Sequence, residues 1–474
     1  MDRRAKTALA LIGAGGAAAT LGVLLWRRSR SLSLASCSAP QGRAAVFKLE
    51  DVDRHDHPGG RFGPPGQPAG HYLTVAAEPM GEMDFAELFA ADSPFVLYSI
   101  EQPAAETPFV VFLELPAAAR IKLWKAEAFI DRGIRKLVEL GSRVAVASLA
   151  SAEAFAAGTC AQFATGELAL SFVWNTGRCG STLMHKALSA AGAVSLSEPH
   201  WLDRLLVSGP LPQPSVQRVL RTCVALEMMA ARLQKGIPGW AQATRLSFNP
   251  KAGGLPVAEA AVALFPSARH IFMYRACHKV VESFAGLIYG DGVPLPLKIM
   301  WATRGIKALP AVGVKALPEG PLDKLSSMVA AMLTCRWIGT IRAWVQTRER
   351  RAKDSPGGMQ DPICVAPVIR MDEFTSKDMQ VRTAVLRTAF IHLGIIKATD
   401  GDEALRSALE VFAVNSQEGS KMAGPKAKVI TASDVPVIKE CVAASMASLA
   451  GVVVQDGGAN VVLPGSLGVA MPKV

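Results

Sequence analysis

The residues best suited to chemistry are Gly177-Arg178-Cys179-Gly180-Ser181-Thr182. An apolar run from Leu168 to Trp174 precedes them, with the length and composition of a buried strand, and Asn175 and Thr176 favour a turn after it. Leu183, Ala187, Leu188 and Ala191 follow at helical period. Strand, glycine loop and helix together make an anion cradle. Backbone amides at a helix start are unpaired and point outward, and the helix dipole adds partial positive charge there. Gly177 and Gly180 let the main chain approach oxygen atoms closely, Ser181 and Thr182 add hydroxyl donors, and Arg178 adds a full charge on a fork of N–H groups.

Two familiar phosphate loops do not fit. The nucleoside triphosphatase pattern G-x-x-x-x-G-K-[ST] needs a lysine after its second glycine, and Ser181 stands there instead. A phosphatase with Cys179 as nucleophile would need an arginine where His185 stands. Taken alone, the loop is equally well a glycine turn that opens a helix.

A second stretch shifts that balance. From Leu264 the chain reads LFPSARHIFMYRACHKVVESFAGL, a short strand Ile271 to Tyr274, then Arg275, then a helix carrying Ser283. On a helix beginning beside the arginine, the serine lies about two turns along. Arg-x-Gly-Ser-Thr after a strand, followed by this arginine and serine, resembles the P-loop sulfotransferase superfamily, and the carbohydrate sulfotransferases within it. The resemblance implies a three-layer α/β fold, a parallel sheet with helices on both faces. It also implies 3′-phosphoadenosine 5′-phosphosulfate as co-substrate, held by Gly177, Arg178, Cys179, Gly180, Ser181 and Thr182 at the 5′ side and by Arg275 and Ser283 at the 3′-phosphate. Family members usually carry Asp-Pro after that arginine, where this chain has Ala276-Cys277.

Ser197-Glu198-Pro199 resembles the Ser/Glu-Pro element of several carbohydrate sulfotransferases. Glu198 is thereby a candidate general base for an acceptor hydroxyl, with His200 the competing base and a helix-capping glutamate the plain structural alternative. Arg178 is the second candidate catalytic residue, set to stabilise charge on the departing oxygen. No metal is required by this arrangement. The expected reaction is sulfuryl transfer to a hydroxyl, on a carbohydrate. Two other classes stay open: a nucleotide-dependent kinase on the same fold, which would need a magnesium-holding carboxylate at a strand end, and a non-catalytic membrane-anchored binding module.

The rest of the 474 residues must position or deliver these groups. Half of them are hydrophobic, ample for a core, and the formal net charge of +11 suits an anionic donor, an anionic polymer or an acidic membrane surface. Without an arginine-rich repeat or aromatic-basic interleaving, nucleic acid is not an expected partner. Thr7 to Trp26 is twenty residues without a charge, enough for a helix of about 30 Å across a bilayer. We therefore expect a membrane anchor over 1–30, a stem or linker over 31–74, an accessory α+β region over 75–160 and the sulfotransferase-like domain over 161–474. Ala10, Ala14, Ala18 and Gly22 recur every four residues in the anchor, which allows a homodimer through close helix packing. A single-pass protein of the Golgi is the expected setting, although none of the four asparagines begins an N-glycosylation sequon.

Phe95 to Ile100 and Phe109 to Leu115 read as a hairpin, Ala117 to Leu140 as helical, and Gln213 to Lys235 as a helix. Ala243 to Phe248 reads as a strand, and Asp323 to Arg348 as a long helix whose Trp337 and Trp344 face the core. A strand over Val365 to Met371 and a helix over Asp378 to Leu393 close the domain. The Gly/Pro-broken region from Ala285 to Lys324 is the expected acceptor loop, and Asn415 to Lys421 a polar loop near the donor. His55, His57 and His71 read as solvated loop residues, and the eight cysteines show no zinc spacing.

Overall fold

The computed structural model describes residues 42–53, 68–126, 130–207, 213–233, 243–250, 254–289, 325–355, 358–397, 399, 402–413 and 429–467. The expected membrane anchor, His55 and His57, most of the expected acceptor loop and the polar loop at 415–421 lie outside these residues. Among the described residues no helix is long and apolar enough to cross a membrane.

Five strands form the central sheet: β7 (Ala169–Asn175), β8 (Val194–Ser197), β9 (Arg245–Asn249), β10 (Arg269–Tyr274) and β11 (Val368–Arg370). They lie in the order β11-β10-β7-β9-β8, and every pairing is parallel. Parallel neighbours need crossover connections, so both faces of such a sheet are covered. The alternation along each strand shows which side chain goes where. Phe172, Trp174, Phe272 and Tyr274 join the core beneath helices Gln213–Arg232 and Leu325–Asp354. Val173, Ile271, Met273 and Ile369 face the opposite way, toward helices Ser181–Ala190, Met379–His392 and Glu403–Glu410. The expected α/β architecture is thus present, with helices on both faces.

Aromatic packing dominates the first face. Phe172 stacks on Trp174 and Phe248, and Phe272 stacks on Trp344 at 4.6 Å. Trp337 and Trp344 are both buried, as their helical spacing predicts. The Trp174 indole donates to His270 Nδ1 (3.0 Å), and burial pushes that imidazole down to about 3, so it stays neutral.

The N-terminal region is a second sheet, not an extension of the first. β1 (Arg43–Val52), β2 (Leu73–Val75), β3 (Gly81–Asp84), β4 (Phe95–Glu101), β5 (Phe109–Glu114) and β6 (Arg143–Ser148) form an antiparallel sheet in the order β2-β1-β6-β5-β4, with β3 also on β1. The expected hairpin is β4 and β5. β1 and most of β2 fall within 31–74, the expected linker, so the linker boundary is wrong: the sheet begins at Arg43. Lys48, Glu50 and Asp51 give the stretch its polar look, yet Ala44 to Phe47, Leu49 and Val52 are buried because β1 is an interior strand between β6 and the β2–β3 side.

The two sheets share one continuous apolar core. Helix Leu149–Thr165 packs on Gln213–Arg232, where Glu153 meets Arg218 and Arg221. Helix His200–Val207 lies against β4, and Arg204 Nε donates to the Ile100 carbonyl (3.2 Å).

Between these layers Glu227 is fully enclosed, its carboxyl accepting from Trp201 Nε1 at 2.9 Å. Burial raises it to about 8, against 4.5 in an open chain. The folded state therefore favours the protonated acid, and this stability is present below pH 4.5 and lost as pH rises through about 8. Glutamine keeps the acceptor for Trp201 and cannot ionise. We expect Glu227→Gln to leave stability at pH 4.5 near wild type and to raise it at pH 8, by up to a few kcal/mol on the order of 1.4 per pH unit spanned. Denaturant unfolding at both pH values checks this, and identical pH dependence in the two proteins would exclude it.

Candidate functional site

The chain runs from β7 to β8 and β9 on one side, then passes to β10 and β11 on the other, so the strand order reverses between β7 and β10. In open α/β sheets ligands bind outside the carboxyl ends of the strands at such a reversal. The two sequence stretches singled out for chemistry follow these two strands. Thr176, one residue beyond β7, still donates its amide to the Met273 carbonyl of β10 (3.1 Å), so the loop leaves the sheet tied to its neighbour.

Asn175, the last residue of β7, shapes the glycine loop. Its Oδ1 accepts from the Gly177 amide (2.8 Å), while its Nδ2 donates to Asn249 Oδ1 (3.1 Å) and to the Pro250 carbonyl (2.7 Å). Asn249 Nδ2 in turn donates to Ser197 Oγ (3.1 Å). Buried amides thus join the ends of β7, β9 and β8. Beyond Asn175 the backbone turns left-handed at Gly177 (φ 76°), Arg178 (φ 54°) and Gly180 (φ 84°), with Cys179 between. Positive φ on either side of Cys179 is the backbone pattern of an anion-binding nest. Helix Ser181–Ala190 starts at Gly180, a residue with no side chain to cap it.

Arg178 reaches across to the second stretch. Its Nε donates to Ser283 Oγ at 2.8 Å, two turns into helix Cys277–Tyr289. Arg275 follows the end of β10, its carbonyl accepting from Trp337 Nε1 (3.0 Å), and its own Nε is buried without a hydrogen-bond partner. Burial first, and then the charge of Arg275, press Arg178 below the usual arginine range. The two guanidinium groups therefore lie near one another at the ends of β7 and β10.

Glu198 stands just past β8 in left-handed backbone (φ 53°), its amide donating to the Asn249 carbonyl (2.9 Å). Its carboxylate opposes the desolvation of both Arg178 and Arg336. Non-glycine residues in this region persist only where the surroundings over-determine them, and such strain clusters at functional sites. Gly177, Arg178, Gly180, Ser181, Arg275, Ser283 and Glu198 therefore all lie beyond the carboxyl ends of β7, β8 and β10, with Arg178 in contact with Ser283.

Other sequence candidates lie elsewhere. Cys179 is buried, and burial pushes its thiol up, so only its backbone can serve a ligand. Thr182 is buried in the first helical turn. His200, the competing base, is 2% exposed with its ring stacked on Tyr98 (4.6 Å) and edge-on to Tyr72 (5.7 Å), so it belongs to the seam with the antiparallel sheet. His185 meets Ser195 Oγ at 2.9 Å in the core, and burial holds it down at about 4. The seven described cysteines are free thiols, and the described residues include no group of three or more His, Cys, Asp or Glu fit to hold a metal.

Two contributors were not found by motif. Asn175 reads in sequence only as a turn residue. Arg336 lies on helix Leu325–Asp354, and its guanidinium sits 5.6 Å from the Phe284 ring centroid, next to Ser283. It is the sole charged residue between Lys324 and Arg342, a signal visible in the sequence but attached to no pattern.

Comparison with models of protein families gives no match, and a search of curated proteins finds no relative.

The Asn175 network yields a direct expectation. Asn175→Ala removes the acceptor for the Gly177 amide and the donor to Asn249, costing about 1–3 kcal/mol of local stability. Hydrogen exchange should show faster exchange at Gly177 and Glu198 with core strands unchanged; protection equal to wild type would mean that the loop holds its shape without the asparagine.

Proposed function

We propose that the protein is a sulfotransferase that uses 3′-phosphoadenosine 5′-phosphosulfate to sulfate a hydroxyl, on a carbohydrate acceptor. The observation that carries this reading is the 2.8 Å contact between Arg178 and Ser283. It joins a glycine loop suited to a 5′-phosphosulfate and the Arg275–Ser283 pair suited to a 3′-phosphate, on neighbouring strands at the sheet's reversal. The buried, unpartnered Nε of Arg275 supports the fit, since a phosphate oxygen would supply what it lacks.

When bound, the donor supplies the sulfuryl group and leaves as adenosine 3′,5′-diphosphate. The chain's own part is to bind, orient and move one proton. The loop amides beyond Gly177, whose own N–H is held by Asn175, grip the 5′ oxygens, and Arg178 stabilises charge where the sulfur–oxygen bond breaks. Arg275 and Ser283 fix the nucleotide's far end, which sets the attack line for the acceptor. Glu198 takes the acceptor's hydroxyl proton on its carboxylate. His200 cannot share that task from its buried stack on Tyr98. The charge-free segment Thr7–Trp26 would anchor this domain to a membrane, with the Golgi lumen as the setting that goes with a carbohydrate acceptor.

If Arg275 holds the 3′-phosphate, Arg275→Ala should weaken adenosine 3′,5′-diphosphate by about 10- to 150-fold and adenosine 5′-monophosphate far less, because the second ligand never makes the contact. Ser283→Ala should lower both, the first more, because Ser283 also steadies Arg178. Calorimetric titration of both nucleotides decides this, and equal losses in Arg275→Ala would assign the arginine to the fold.

A separate test addresses the base. Glu198→Gln should cut turnover about 10²-fold or more while nucleotide binding persists. Wild-type turnover in that variant would leave proton removal to water.

A further inference from the structure

Arg336 is unexplained by either sequence stretch, yet it approaches both. The next residue, Trp337, donates to the Arg275 carbonyl (3.0 Å), which pins this turn of the helix against the end of β10. The Arg336 guanidinium itself lies over Phe284, the neighbour of Ser283, at 5.6 Å. Solvent reaches the side chain, so it is not a core residue. Partial desolvation by its neighbours lowers its hold on its proton, and the opposing influence comes from Glu198. Arg178 has the same relation to Glu198. Three arginines, from a loop, a strand end and a long helix, therefore converge on a crevice in which one carboxylate acts on two of them. Guanidinium groups brought together in this way attract a multiply charged anion.

We propose that Arg336 is a ligand-binding residue of the crevice, an anion clamp for which Glu198 is the counter-charge while the crevice is empty. This rests on the reading of the crevice as a nucleotide donor site. The class of ligand it selects is one bearing two anionic groups on one scaffold, because guanidinium groups come to the site from the loop after β7, from the end of β10 and from the long helix. When such a ligand binds, Arg336 exchanges the Glu198 carboxylate for a ligand oxygen. Glu198, no longer held by that charge and now beside an anion, becomes the better proton acceptor, so the donor readies the base it will need. No covalent step is involved in the exchange.

The test is calorimetric titration of adenosine 3′,5′-diphosphate, and separately of inorganic pyrophosphate, into wild type, Arg336→Gln, Arg336→Lys, Glu198→Gln and the Glu198→Gln/Arg336→Gln double variant at one fixed salt concentration. Arg336→Gln should weaken the nucleotide about 10-fold or more, with Arg336→Lys between it and wild type. Glu198→Gln should tighten binding several-fold by removing the competing carboxylate, and this gain should shrink when Arg336 is already gone. Wild-type affinity for both ligands in Arg336→Gln, with tight binding elsewhere, would overturn the proposal and leave Arg336 as a packing residue on Phe284. Additive effects of the two substitutions would overturn the exchange between Glu198 and the ligand. Pyrophosphate binding that depends on Arg336, without nucleotide binding, would keep the clamp and reject the nucleotide donor. Binding of neither ligand to wild type would reject both.

Discussion

Two guanidinium groups held close together, partly out of water, are an arrangement a protein does not keep for stability. Each pays desolvation and each repels the other. Arg178 and Arg275 are in that position, with the Nε of Arg275 buried and unpartnered. Their approach follows from the adjacency of β7 and β10, whose register sets Asn175 opposite Met273. Glycine loop, strand order and the helix bearing Ser283 all serve to bring these charges to one place, and Ser283 steadies one of them. An anion at this crevice would convert the cost into binding energy.

Holding that arrangement requires rigid ends on the strands. Asn175, Asn249 and Ser197 supply them through buried side-chain hydrogen bonds that cross three strands. Amides suit this task because each offers a donor and an acceptor with no charge to neutralise. The same network carries the strain of the site. Among the described residues only Asp92, Gln102, Arg178, Glu198 and Asp456 are non-glycine residues with positive φ, so both candidate catalytic residues are in the strained set. Glu198 is fixed on its N-terminal side by the Asn249 carbonyl and on its C-terminal side by Pro199 and the helix that begins at His200.

That helix gives the antiparallel sheet a part in the site. His200 stacks on Tyr98, Tyr72 meets its edge, and Arg204 binds the Ile100 carbonyl and approaches Glu101 at 3.8 Å. Around them Asp131 pairs with Arg135, whose guanidinium also covers Tyr72. A seam this polar and this buried specifies one docking position, because any sliding would leave charges unpaired. The corner carrying Glu198 is thereby set by residues more than ninety positions earlier in the chain, a contribution that the composition of the N-terminal region does not suggest.

Periodicity and turn chemistry in the sequence determined the local structure and the preference of the glycine loop for an anion. The β7 strand, the hairpin of β4 and β5, the long helix with Trp337 and Trp344 inside, and the alternation that makes a parallel sheet all follow from burial patterns that the chain carries locally. β1 escaped that reading because its interior place in a sheet, not its own composition, buries Ala44 to Phe47. The crevice escaped it more fully. Arg178 and Ser283 are 105 positions apart, and their contact exists because β10 comes to lie beside β7, a choice of strand order that no local pattern encodes. Tertiary structure also turned His200 into a core ring and brought Arg336 to Phe284. In each case the deciding quantity is a pairing between distant segments, which packing selects and residue spacing leaves open.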